Sequence, residues 1–282
     1  MLFALGLDQH EQVTKAALLQ YETCQAYFPT ILQPMSKEHA AIVIAANRDI
    51  DRMSWLHIGR SLSRLWHWHF YDAALYDADE PHIGIKPNFI GMERSLHGSF
   101  DKKLSRIKQL EHPKGKKFSI LTGEILHFIQ DMGVPAHVVP IYHDSFHPDK
   151  FDRYVVYGMP KYIDMKKSVC SDLLKANKTP EKQLNALAED TRQAIAKHIP
   201  YSSETWLIFW NLPARDTPSS GSFHHYGMCG NVFGETKEAL QSLPTACQLE
   251  SDVFNNFYLD RYQKMVGASL RILLFLNRKQ SH

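Results

Sequence analysis

An all-α, multi-helix domain is predicted by three features of this 282-residue chain. Apolar residues recur at helical spacing in almost every segment between its prolines and glycines. Few segments alternate with the period of two that a half-buried strand needs. No flexible linker and no internal repeat divides the chain, so residues 1–282 read as one domain.

Composition sets the outer limits. Apolar residues make up 44% of the chain and charged residues 22%, which excludes a wholly disordered protein. A formal charge of +2 gives no general drive toward nucleic acid. No apolar run approaches the ~18 residues of a membrane span. The start, Met1 to Leu7, is apolar and is followed by Asp8, with no basic region or small-residue cleavage site, so it does not read as a signal peptide. Cys24, Cys170, Cys229 and Cys247 form no CxxC pair and make no disulfide scaffold, which leaves room for one or two bridges. Histidine is the unusual residue: there are 16, most of them before residue 150.

The elements follow in order. His10 to Ala26 is amphipathic, with Val13, Ala16, Ala17 and Leu18 on or near one face. Pro29 and Pro34 interrupt, and Ser36 caps a helix through Ala40–Ala46, with His39 where a capping box would place an acid. Residues 53–66 are predicted helical and 77–92 a long loop. Helix resumes over 100–110, is cut by Pro113-Lys114-Gly115, and resumes from Lys116 to Met132. Further helices are predicted near 162–175 and 180–198, the latter opened by Thr179-Pro180-Glu181. Residues 211–230 read as a second long loop, and helices near 232–242 and 252–277 close the chain.

The chemistry concentrates in Gly123 to His137. His127 and Asp131 stand four apart, so their side chains share one helix face and suit a metal held by imidazole and carboxylate. The helix is predicted to end at Gly133-Val134-Pro135, which would let His137 turn back toward the same pocket. A second cluster follows: His143, His147, Asp149 and Asp152, with Pro148 favouring a helix start. By residue type alone Phe151 and Tyr154 anchor that segment and Asp152 points elsewhere. Upstream lie His10, the carboxylates Asp49 and Asp51, and the aromatic-rich stretch Trp66-His67-Trp68-His69-Phe70-Tyr71-Asp72. His67 reads as a packed or surface histidine. For His69, a packed histidine and a ligand are equally compatible with the local pattern.

The order His10, Asp49 or Asp51, His69-Phe70-Tyr71, His127-x3-Asp131-x3-Pro135-x-His137 and a later histidine with an acid resembles the zinc-dependent phospholipase C family. The single-strand nucleases of the S1/P1 type share that family's fold. The likeness covers roughly residues 7–156. It implies a compact all-α domain whose helices surround a cleft with two to three zinc ions. His69, His127, Asp131 and an upstream carboxylate, best Asp49, would hold one zinc. Asp131 would bridge to a second, held by His10. His137, a second histidine and an acid would hold another, with His147 preferred to His143 and Asp152 as the acid. Asp49 or Asp51 would serve as general base or orient the attacking water. Zinc would lower the pKa of that water and polarise the phosphoryl oxygens.

Two departures from the family pattern bear on these roles. The acid stands five residues after His147, where the family spaces it at four, and Phe151 occupies the fourth place. Family members begin with a tryptophan whose amino group completes one zinc site, whereas Met1 begins this chain; either its amine, or a Phe3 amine after trimming, takes that part, or the His10 zinc is weak or missing.

The resemblance implies a phosphodiester hydrolase, foremost a phospholipase C that releases diacylglycerol and a phosphorylated head group. A single-strand nuclease is the alternative, and a non-catalytic helical metal-binding protein a third reading. Phospholipid, peripheral membrane contact or single-stranded nucleic acid would be the partners. The family's bacterial lipases suggest an exported or extracellular protein. The basic stretch Lys102, Lys103, Arg106, Lys108, Lys114, Lys116 and Lys117 is best read as a solvated helix pair, although it would also suit an anionic surface. A di-iron bundle needs paired Glu-x-x-His motifs, and Glu124-Ile125-Leu126-His127 supplies one.

Overall fold

Helix α1 spans Leu5–Tyr27, and Val13, Ala17, Tyr21 and Cys24 bury its inner face completely. In the computed structural model of the chain, the described residues are 5–50, 70–71, 96–110, 114–139, 141, 143, 148–154, 156, 165–176, 178–211 and 224–279. Helix α2 covers Lys37–Asp49 and starts where Ser36 predicts, the serine hydroxyl accepting a hydrogen bond from the His39 amide at 3.1 Å. Helix α3, Leu96–Lys108, turns Leu96, Phe100, Leu104 and Ile107 inward, at the i, i+4, i+8, i+11 spacing of one face. The predicted helix over 53–66, the loop over 77–92 and residues Trp66 to His69 lie outside the described residues.

Helix α4, Lys116–Asp131, is the axis of the fold. Every residue from Leu121 to Asp131 is buried, so the helix is enclosed on all sides. Helices α2, α3 and α8 pack against it. The approach of α2 depends on Gly123. A Cβ there would lie 2.3 Å from the Val43 carbonyl oxygen and 2.9 Å from Ala46 Cβ. The run Ala45-Ala46-Asn47 on α2 is the matching small surface. At the far end of α4, the Gly133 amide donates to the Gln130 carbonyl and the Val134 amide to the Asp131 carbonyl, at 2.8 and 3.0 Å. Pro135 then opens the one-turn helix α5, Pro135–Val138, as proline at a first helical position favours.

Helix α6 runs Lys167–Ala176 and α7 runs Pro180–Ile195, with the Thr179 hydroxyl capping α7 through the Lys182 amide. Thr191 on α7 donates to the Met132 carbonyl at 2.6 Å and so satisfies a group freed at the end of α4. Helix α8, Ser251–Leu276, closes the bundle against α1, α4 and α7. Its Arg261 is almost fully buried and meets Asp190 at 2.7 Å. Burial alone would raise the Asp190 carboxyl, but Arg261 and Lys264 together hold it below its ordinary range.

The helix predicted near 232–242 does not form. Those residues are turns, with positive φ at Gly230 (74°) and Gly234 (73°), and Phe233 is buried from a turn instead, with Val232 partly buried beside it. A disulfide from Cys229 to Cys247 closes this segment. A second disulfide, Cys24 to Cys170, ties α1 to α6. Among the described residues strand pairing is limited to isolated bridges, Ile141 with His224 and Trp210 with Tyr226 among them. No helix among them is long and apolar enough to cross a membrane.

Two stability predictions follow from this packing. Gly123→Ala should lower the melting temperature by about 3–10 °C, the cost of overpacking a tight contact. An unchanged melting curve would mean that α2 does not approach α4 there. Removing the Cys24–Cys170 bond, which spans 146 residues, should destabilise the chain by about 4–5 kcal/mol, against about 3 kcal/mol for the 18-residue Cys229–Cys247 bond. Denaturant unfolding of the two double-alanine variants measures the order, and equal losses would contradict it.

Candidate metal centre

Two groups of side chains are drawn together around the end of α4. The first is His10, His127 and Asp131, all buried; the second is His137, His143 and Asp152. Within each group, one potential ligand atom from every residue lies within 4.8 Å of the others.

The first group joins α1 to α4. His127 and Asp131 share a face of α4, and His127 Nε2 lies 3.5 Å from Asp131 Oδ2. His10 Nε2 reaches the other carboxylate oxygen, Oδ1, also at 3.5 Å. The imidazoles lie against each other, with ring centroids 4.4 Å apart. Each histidine thus faces its own oxygen of a single carboxylate. Four donors placed tetrahedrally at about 2.1 Å from zinc are separated by about 3.4 Å. The observed spacings match that edge, and imidazole with carboxylate is a donor set that zinc accepts.

The second group is assembled by loops. His137 sits on α5 and stacks on Phe70, the centroids 5.4 Å apart. The Tyr71 amide donates to the His137 carbonyl at 2.9 Å, which fixes the Phe70-Tyr71 segment against α5. His143 meets His137 edge-on at 4.9 Å and Phe70 edge-on at 5.4 Å. Its Nδ1 lies 2.9 Å from the Ile141 carbonyl oxygen. A carbonyl only accepts, so Nδ1 carries the proton and Nε2 keeps a lone pair for a ligand.

Asp152 is positioned by the turn that precedes it. Its amide donates to Asp149 Oδ1 at 3.1 Å, and the Tyr226 hydroxyl donates to Asp149 Oδ2 at 2.9 Å. Asn231 receives the Lys150 amide and donates to the Pro148 carbonyl, both at 2.8 Å. Phe151 is the anchor, fully buried against Trp210, Phe233, Phe257 and Tyr258. Burial raises the Tyr226 hydroxyl pKa, and the Asp149 charge raises it further, so Tyr226 remains a donor. Tyr258 is raised for the same first reason, with Asp152 adding to it.

The predicted site residues are therefore distributed as follows. His10, His127 and Asp131 come together, and His137 joins His143 and Asp152 instead of turning back to the His127 pocket. The predicted helix start at Pro148 is a turn over residues 150–153, and that turn brings Asp152 to the histidines. Asp149 belongs to the turn's hydrogen bonding. Asp49 ends α2 with a side chain 45% exposed and 3.4 Å from Arg48 Nε, in neither group. Met1, Asp51, His69 and His147 lie outside the described residues. Glu124 pairs with Lys103 at 2.7 Å. Gln130, which meets His10 at 2.9 Å and Asn47 at 3.2 Å, has no distinguishing signal in the sequence pattern.

Comparison with family models, with curated proteins and with solved structures found no match.

If the two groups bind metal independently, His127→Ala should lower bound zinc by one equivalent and leave the second group loaded. Asp152→Asn should do the reverse. Elemental analysis of zinc-loaded, desalted protein measures both, and wild-type stoichiometry in either variant would remove that residue from its group.

Proposed function

We propose that the chain is a zinc-dependent phosphodiester hydrolase, and that it acts as a phospholipase C on glycerophospholipids. The observation that carries the reading is the pair of His/Asp groups at the two ends of the α4–α5 turn, with Asp131 offering one oxygen to each of two histidines. A carboxylate used in this way suits neighbouring cations, as the likeness to the zinc-dependent phospholipase C and S1/P1 nuclease family leads one to expect. Di-iron chemistry is disfavoured because Glu124 is engaged with Lys103.

In this reading His10, His127 and Asp131 hold metal at the buried group, and His137, His143 and Asp152 hold it at the other. Zinc, when bound, lowers the pKa of water and offsets phosphoryl charge. The protein's own part is to hold its ligands still and to exclude bulk water from the first group. The Ile141 carbonyl and the Asp149–Tyr226 pair orient the second group's ligands, and the Phe70 ring packs against both of its imidazoles. The two disulfides suit an oxidising compartment, as for an exported enzyme that makes peripheral membrane contact.

The test is hydrolysis by the zinc-loaded chain of phosphatidylcholine vesicles and, in parallel, of a single-stranded oligonucleotide. Release of phosphorylated head group is expected. Asp131→Asn should reduce it by about 100-fold, at the upper end of losses around metal sites. Cleavage of the oligonucleotide alone would assign the nuclease reading. Hydrolysis of neither substrate would leave a metal-binding protein.

A further inference from the structure

The side chain of Gln130 makes four hydrogen bonds in the interior. Its Oε1 lies 2.9 Å from His10 Nδ1 and 3.2 Å from Asn47 Nδ2. Its Nε2 donates to Thr14 Oγ1 at 2.9 Å and to Ser269 Oγ at 3.2 Å. All five residues are buried, and they come from α1, α2, α4 and α8. An amide has two donor hydrogens and two acceptor lone pairs, so this environment uses its whole capacity.

In the structure Gln130 turns its oxygen to Asn47 Nδ2 and His10 Nδ1, and its nitrogen to the Thr14 and Ser269 hydroxyls. For the His10 contact to be a hydrogen bond, Nδ1 must carry a proton. The neutral imidazole then has its lone pair on Nε2, the atom 3.5 Å from Asp131 Oδ1. A lone pair set against a carboxylate oxygen is repulsive unless a proton or a metal ion lies between them.

We propose that Gln130 is a positioning residue, its side-chain amide fixing His10 as the Nδ1–H tautomer so that the Nε2 lone pair is aimed at a zinc ion shared with Asp131. The proposal rests on the metal reading of this group and extends it to the amide behind the histidine. It also explains why a glutamine lies inside an enclosed helix, where burying an unsatisfied amide would be costly. Gln130 is one residue before Asp131 on α4, so a single element supplies both the carboxylate and the group that orients the histidine facing it. Asn47 reaches Gln130 because Gly123 lets α2 approach α4 closely.

The test uses the full chain with ¹⁵N-labelled histidine and long-range ¹H–¹⁵N correlation spectra, recorded with and without zinc. The His10 signals are identified by their loss in His10→Ala. A proton on Nδ1 in both states is expected. A bare Nδ1 in either state overturns the proposal, because Gln130 would then be donating to the ring. Zinc affinity, measured by competition with a chromogenic chelator, supplies the second readout. Gln130→Met fills similar volume without hydrogen bonds and should weaken binding about 10–100-fold. Gln130→Glu keeps an oxygen toward His10 and should hold affinity to within about threefold, as an acceptor role requires. Wild-type affinity in Gln130→Met, or equal losses in both variants, overturns the assignment. If Gln130→Met does not fold, the wild-type spectra decide. If wild-type chain binds no zinc, the metal reading fails, and the metal-free spectrum still decides whether Gln130 sets the tautomer.

Discussion

A helix enclosed on every side has no water to satisfy its polar side chains, and α4 carries Ser119, Thr122, Glu124, His127, Gln130 and Asp131 inside the protein. The arrangement around it answers that constraint for Glu124, Gln130 and Asp131. Lys103 on α3 neutralises Glu124, and α1, α2 and α8 each bring a side chain to the Gln130 amide. His10 reaches in from α1 to the Asp131 carboxylate. Removing any of these helices would expose or orphan a group on α4, so the polar interior specifies which helices must meet as firmly as the apolar surface does. The candidate metal centre lies where this requirement is most concentrated.

The two groups of ligands are built by different means. The first is a product of helix packing, with two residues on one face of α4 and a third across the α1 interface. The second is held by hydrogen bonds in loops: two local ones, an imidazole on a carbonyl and an aspartate on a following amide, and one from a distant tyrosine to that aspartate. Its apolar foundation is the aromatic cluster around Phe151, which seats the turn and carries Asp152 with it.

This difference explains what could be read from residue order. The all-α class, the Ser36 and Thr179 caps and the end of α4 depend on near neighbours, and each was legible, whereas the one-turn helix opened by Pro135 was not. So was the His127–Asp131 face, since i,i+4 spacing carries its own geometry. The 232–242 segment misled because Val232, Phe233, Ala239 and Leu240 fit a helical period, while the flanking glycines adopt positive φ and break it. That His143 meets His137 and Asp152 was legible only as one of two alternatives. Spacing rules for helices do not extend to a loop that turns at Pro148, where the tertiary position of Phe151 decides. Gln130 was hidden for another reason: a glutamine on an amphipathic pattern looks like solvent-facing surface until four helices enclose it.

The bond between Cys24 and Cys170 makes the intervening chain a covalent ring. Five of the six clustered His and Asp side chains, His127, Asp131, His137, His143 and Asp152, lie within it, and His10 alone lies outside. A single break in the backbone anywhere between the two cysteines would therefore leave both fragments on one molecule. While the bond stays oxidised, a chain cut there keeps its ligands at high effective concentration and can hold the cluster together; after reduction, the same cut would let the halves of the site separate.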